Sequence, residues 1–223
     1  MAMNKYNNMS GGGNSNNSNQ LHVEMETYFV SNIYNCYIPK WTKALNKYSN
    51  KYITEIKKLN GVAKSGTKDF GTSHCSFTLL GDENFSVLGE FIKNLTRDLL
   101  IQQGYDLSSK EVTLNDFWVQ EFSKHGGGHQ GYHVHPNRHM SGFYFLKCSE
   151  NTSYPIFEDP RPGKVMTDLT QKDNSVLTTS SSTVFYKPKP GTLMLFNSYL
   201  PHHFAVDPGK DPFRFIHFNL RAI

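Results

Sequence analysis

The sequence predicts a mainly β domain, a sandwich or barrel of short strands with supporting α-helices packed on one outer face. Beyond residue 110 the chain turns to short β-branched and aromatic runs punctuated by Gly, Pro and Asn, the pattern of short strands joined by turns. The aromatic load is high, with 16 Phe and 12 Tyr in a chain that is only 37% hydrophobic, and such residues fill pleated, half-buried surfaces. Two stretches of helical period come before the strands instead of alternating with them, which argues for helices segregated to one side of the sheets. With 223 residues there is enough chain for one sizeable core and too little for two comfortable domains.

In chain order, residues 1–20 are rich in Asn, Ser and Gly, offer nothing to bury and are expected to form a disordered leader. Residues 21–223 form the single domain. From Trp41 the positions Leu45, Tyr48, Tyr52, Ile56 and Leu59 recur at helical spacing until Gly61 stops them. A second helix is predicted over 85–103, with Leu88, Phe91, Ile92, Leu95 and Leu99 on one face and Gly104 at its end. Strands are predicted around 112–122, 141–146, 183–186, 192–197 and 214–220. No internal repeat is visible.

Composition narrows the classes of function. The net charge of +4 is mild, and the lysines are scattered apart from the first helix, so nucleic acid is not the expected partner. Cys36, Cys75 and Cys148 are odd in number and lack CxxC spacing. That suits neither a disulfide framework nor a structural zinc site and points to a reducing, cytoplasmic setting. The first twenty residues lack the apolar core of a signal peptide, and no later run reaches the ~18 apolar residues of a membrane span.

The densest chemical signal is HGGGHQGYHVHPNRH, which holds five of the ten histidines between His125 and His139. In an extended strand residues i and i+2 share a side, so His133 and His135 can present two imidazoles to one metal ion before Pro136 ends the pairing. A third ligand must come from far along the chain. His202, in YLPHHF, is the best-placed candidate, and three facial ligands leave positions open for substrate chemistry. His125 and His129 sit among glycines and read as loop residues. His202 and His203 are adjacent and face opposite ways, so one of them binds.

These residues resemble a known family. HVHPN followed by SGFYFL, FEDPR, PGTLMLFNSYLPHH and RFIHFNL is similar to a group of 2-oxoglutarate/Fe(II) oxygenases known from marine bacteria and their phages. That group is related to the dioxygenases of prolyl-hydroxylase type. The resemblance covers about residues 112–221 and rests on five short motifs in the right order. It implies a double-stranded β-helix (a cupin-like jelly roll) that holds Fe(II) through His133, His135 and His202 and uses 2-oxoglutarate and O₂ as cosubstrates. If the gene is carried by a phage, the setting would be the host cytoplasm. Arg214, twelve residues after His202, falls where the family places the basic residue that grips the far carboxylate of 2-oxoglutarate.

Two departures from the family pattern stand out. The usual carboxylate ligand is replaced by His135, so either three neutral imidazoles hold the iron or a carboxylate such as Asp159 completes the set. The tyrosine that often bonds 2-oxoglutarate is Phe145. By strand alternation Ser141 shares its face and could supply a hydroxyl, while Tyr144 faces away. Phe143, Phe145, Phe185 and Phe196 are expected to pack and partly to shield the metal. Hydroxylation of a protein side chain or a small molecule is the expected outcome. The alternatives are a three-His iron dioxygenase that needs no 2-oxoglutarate and a non-catalytic jelly-roll binding or structural protein. A hydrolytic zinc site fits least, since no general-base Glu lies beside the ligands. Pairing of two copies into a homodimer is left open by the sequence.

Overall fold

The expected strand and helix patterns appear in a computed structural model that describes residues 23–62, 69–166 and 169–223. The predicted leader, 1–20, lies outside the described residues. The chain divides into two units, Met1–Val30 and Ser31–Ile223. Of the first, residues 23–30 contain no helix or strand, and Val23, Met25, Tyr28, Phe29 and Val30 are exposed.

In the second unit β1 (Ile33–Tyr37) and a 3₁₀ turn (Pro39–Trp41) lead into α1 (Thr42–Leu59). β2 (Ser73–Cys75) and α2 (Glu83–Gln102) follow, then β3 (Val112–Phe122), β4 (Gln130–His133), β5 (Met140–Lys147) and β6 (Pro155–Glu158). A short α3 (Pro162–Val165) precedes β7 (Thr183–Phe185), β8 (Thr192–Asn197), β9 (His202–Phe204) and β10 (Arg214–Ala222). α2 begins where the Asp82 side chain accepts from the Asn84 N–H at 3.0 Å, which satisfies one of the orphan donors of a helix start. It ends at Gln102, two residues before Gly104, whose φ of 94° would strain a side chain.

The strands form two antiparallel sheets, a six-stranded one in the order β1-β8-β5-β10-β3-β2 and a four-stranded one in the order β4-β9-β6-β7. Alternation gives the larger sheet two apolar faces. Val119, Tyr144, Leu193, Leu195, Ile216, Phe218 and Leu220 cluster with Leu45 and Ile53 of α1 and with Phe85, Leu88, Ile92 and Leu99 of α2. The opposite face presents Phe122, Phe143, Phe145, Met194, Phe196 and Phe215, which meet Phe157 and Phe204 of the smaller sheet. Each such ring removed from water contributes about 1.5–3 kcal/mol, so the interior between the sheets is a packed aromatic core.

Helix order, the segregated helices and the five predicted strands all appear. Strands β1, β2, β4, β6 and β9 were not predicted; they are three to five residues long and too short or too polar to show a period. Two packing expectations are corrected. Leu59 is 62% exposed at the C-terminal end of α1, and Phe185 is 58% exposed on β7, an edge strand of the smaller sheet.

Candidate metal centre

His133 ends β4, His202 begins β9, and the two are register partners in the smaller sheet. His135 follows on the turn after β4, where its backbone N–H donates to the Ser198 carbonyl at 3.0 Å. The three residues form a group whose ligand atoms lie within 4.8 Å of one another, and the ring centroids are 4.3–5.1 Å apart. Two of the tautomers are fixed by backbone carbonyls. His133 Nδ1–H donates to Gly131 O at 2.7 Å, and His202 Nδ1–H donates to Leu200 O at 3.0 Å. Each leaves an Nε2 lone pair turned inward, and both Nε2 atoms are buried without a hydrogen-bond partner. Imidazoles oriented in this way by their other nitrogen are the usual form of a metal ligand.

Burial keeps the His135 and His202 rings neutral. Burial pushes His202 down to about 3 and His135 down to about 4; the nearby His133 and Arg138 act on His135 in the same direction, and Asp116 opposes them. A set of neutral, converging imidazoles with unpartnered nitrogens fits a divalent transition metal such as Fe(II). Asp159 is not in the group: its carboxylate is taken up by Arg161 at 2.6 and 2.9 Å. His203 points the other way, 3.7 Å from Glu158. His125 and His129 lie in the loop after β3, His125 held by Asp69 at 2.5 Å and His129 donating to Gly127 O at 3.1 Å.

A fourth imidazole stands beside the three. His217 of β10 is buried, its Nε2 lies 3.4 Å from His135 Nε2, and its ring stacks on Trp118 at 4.2 Å. Burial drives it well below the ordinary histidine range. Sequence reading passed over it, although RFIHFNL carries the signal: His217 has the opposite parity to Ile216, Phe218 and Leu220, which face the helices.

Ser141 faces the histidine side of the sheet, with its hydroxyl 2.7 Å from that of Ser198, next to the His135 backbone contact. Tyr144 faces the helices and donates to Ile38 O at 2.7 Å. Arg214 does not join the site. It shares the parity of Ile216 and Phe218, so it emerges on the helix-bearing face, where Nε and Nη2 donate to Glu121 Oε2 at 2.6 and 2.5 Å. Its Nη1 donates to Ser49 and Asn50 of α1 at 2.8 and 2.7 Å. The expectation that Arg214 grips 2-oxoglutarate is therefore corrected: it lies three positions before His217 with two residues between them, and strand alternation turns the two to opposite faces.

Residues 116–219 match the family model described as "Putative 2OG-Fe(II) oxygenase". Among curated proteins none matches the sequence. Solved structures of similar fold include a Pseudomonas putida prolyl-4-hydroxylase, at 14% identity and TM-score 0.52 over 85% of this chain and 92% of that one. Another is a viral collagen prolyl hydroxylase from Paramecium Bursaria Chlorella virus-1 in complex with 2-oxoglutarate, at 12% identity and TM-score 0.51 over 85% and 96%. EctD from S. alaskensis, in its apoform, aligns at 14% identity and TM-score 0.57 over 86% and 73%. These likenesses show the double-stranded β-helix fold.

Proposed function

Residues 116–219 match the 2OG-Fe(II) oxygenase model, and we propose that the chain is such an oxygenase and hydroxylates a protein side chain or a small molecule at an iron held by His133, His135 and His202. The observation that carries the assignment of the ligands is the pair of buried, unpartnered Nε2 atoms of His133 and His202, aimed at the same space as His135. When bound, Fe(II) with 2-oxoglutarate and O₂ supplies oxidation of a substrate C–H bond coupled to formation of succinate and CO₂.

The chain's own residues prepare that chemistry. Gly131 and Leu200 carbonyls orient two imidazoles, and the low proton affinity of His135 and His202 keeps them available as ligands at neutral pH. Phe143, Phe157 and Phe196, with rings 4.6–5.9 Å from that of His202, exclude water from the inner side. A polypeptide substrate is favoured by the two prolyl hydroxylases among the structures of similar fold. No helix among the described residues is long and apolar enough to cross a membrane, and the three free cysteines suit the cytoplasmic location we propose. A marine bacterial or phage origin rests on the motif order alone.

A second reading, a three-His iron dioxygenase without 2-oxoglutarate, is favoured by the displacement of Arg214 to the helix face. Both are tested by adding Fe(II) to the protein under anaerobic conditions and recording the visible spectrum with and without 2-oxoglutarate. A weak metal-to-ligand charge-transfer band that requires 2-oxoglutarate and vanishes in His202→Ala supports the first reading. Iron binding without that band supports the second, and absence of iron binding rejects both.

A further inference from the structure

Of the eight buried side-chain polar atoms that lack a hydrogen-bond partner among the described residues, five gather at the histidine site. Two are the Nε2 atoms of His133 and His202, which a metal would engage. The other three are Trp118 Nε1 on β3 and His217 Nδ1 and Asn219 Oδ1 on β10, from residues outside the ligand group. Their connection to that group is direct. His217 Nε2 stands 3.4 Å from His135 Nε2, and the Trp118 indole lies flat on the His217 ring, 4.2 Å away and inclined by 9°. Polar atoms buried without partners call for a ligand or water.

Register across the sheet sets His217 opposite Trp118 and Asn219 opposite Asp116, so Trp118 and Asn219 are diagonal neighbours, with backbones roughly 7–8 Å apart. Their hydrogen-bonding senses are opposite. The indole N–H can only donate. Asn219 Nδ2 donates to Asp116 Oδ2 at 3.1 Å, which fixes Oδ1 as the free acceptor. Asp116 is in turn neutralised by Arg138, whose Nε donates to the same oxygen at 2.9 Å. These two side chains are 33% and 26% exposed, so the row that holds Asn219 reaches solvent.

This combination selects a chemical group. A carboxylate would satisfy the indole and be repelled by Asn219 Oδ1 and the Asp116 carboxylate beside it. An ammonium would satisfy the oxygens and leave the indole unanswered. A neutral group that carries a C=O and an N–H close together satisfies both, and with hydrogen bonds of ~2.9 Å on either side it spans a distance of the order of that diagonal. A peptide group is such a group. In addition β4, which ends at the ligand His133, is an edge strand of the smaller sheet, the kind of edge along which an extended chain can lie.

We propose that Trp118 and Asn219 seat one peptide group of a polypeptide substrate beside the metal, the indole N–H donating to its carbonyl and Asn219 Oδ1 accepting from its N–H. His217, packed between the indole and His135, holds that seat at a fixed distance from the ligands. The inference names the substrate class of the oxygenase reading and rests on it.

The test follows the indole N–H resonances of protein loaded with diamagnetic Zn(II) in place of Fe(II) while N-acetylglycine N-methylamide is added. The chain has two tryptophans, and Trp41, packed on Phe91, serves as the internal reference. A saturable downfield shift of the Trp118 signal alone is expected. The same compound methylated at both nitrogens keeps its carbonyls but has no N–H, and should bind about tenfold more weakly. Asn219→Leu should erase that preference. Trp118→Phe keeps an aromatic ring on His217 and, followed through the resonances of the added compound, should weaken binding of the amide about tenfold. Equal affinity of wild type for the two compounds, or an unmoved Trp118 signal, overturns the proposal. Tighter binding of uridine than of the amide also overturns it and gives the seat to a nucleobase. The anaerobic charge-transfer band separates the two readings: a band with a failed titration removes the peptide seat alone, and the absence of the band removes the oxygenase reading.

Discussion

Arg214 and Glu121 pair across β10 and β3 on the face of the larger sheet that carries α1, with Nη2 2.5 Å and Nε 2.6 Å from Glu121 Oε2. Lys57 of α1 reaches the other carboxylate oxygen, also at 2.5 Å, and Arg214 Nη1 bonds Ser49 and Asn50. The charges draw the Glu121 carboxyl below its ordinary range in spite of burial, which acts the other way and is the largest single influence on it. A sheet strand is thereby clamped to a helix by a buried, fully bonded ion pair.

Removing one partner of such a pair is costly and removing both is not. Arg214→Met alone is expected to destabilise the fold by about 3 kcal/mol, because Glu121 is left buried with only Lys57. Adding Glu121→Met should restore most of that loss. Urea unfolding of the two variants checks the sign, and equal losses in the single and double variants would show that the clamp is not what Arg214 contributes.

Gly142 is required by packing. A Cβ there would run into the Met194 carbonyl oxygen of β8 and the Phe218 ring of β10, both in the middle of the larger sheet. Gly142→Ala is therefore expected to cost about 3 kcal/mol, at the upper end for overpacking, and to lower the melting temperature measured by circular dichroism. A variant as stable as wild type would mean that β5 and β8 part more easily than their register implies.

Metal binding should stabilise the fold, since the ligands come from two strands and a turn. At free Fe(II) about a hundred times Kd the expected gain is about 2.7 kcal/mol, seen as a rise in melting temperature under anaerobic conditions. His202→Ala should abolish the rise and His129→Ala should not, because His129 bonds only a loop carbonyl. A rise that survives in His202→Ala would place the metal elsewhere.

Much of this arrangement is readable from residues, and the unread parts have physical causes. The HVH spacing points to His133 and His135 together, although β4 ends at His133 and His135 reaches the group from just beyond it, its N–H donating to Ser198 O, and the histidine after the β8 turn is brought to them because β4 and β9 pair with His133 opposite His202. The helical faces of α1 and α2 show in periodicity because each packs one stripe against the sheet. β4, β6 and β9 are invisible because strands of three or four residues have no period to display. Arg214 was misplaced by motif position alone. Counting parity back from Asn219 and His217 turns it toward the helices, and the same count exposes His217 as a member of the site.

The metal-free protein should lose stability in acid before its carboxylates titrate. His135 and His202 are pushed by burial from 6.5 to about 4 and about 3, and His217 is pushed in the same direction. Between those values and 6.5 the unfolded chain binds protons that the folded one refuses, so stability falls as pH drops through this window. Asp69 and Asp82 act in the same sense but in a lower pH window. Their folded carboxyls lie below 3.8, so what they add is present above that value and is lost only in stronger acid. Unfolding free energy measured from pH 7 to pH 4.5 should therefore decline steadily, and His135→Gln should flatten the decline, because one of the buried rings is gone. A stability curve that stays level to pH 4.5 would mean that the histidines open to water in the free protein, and the neutral, preorganised set inferred for iron would have to be given up.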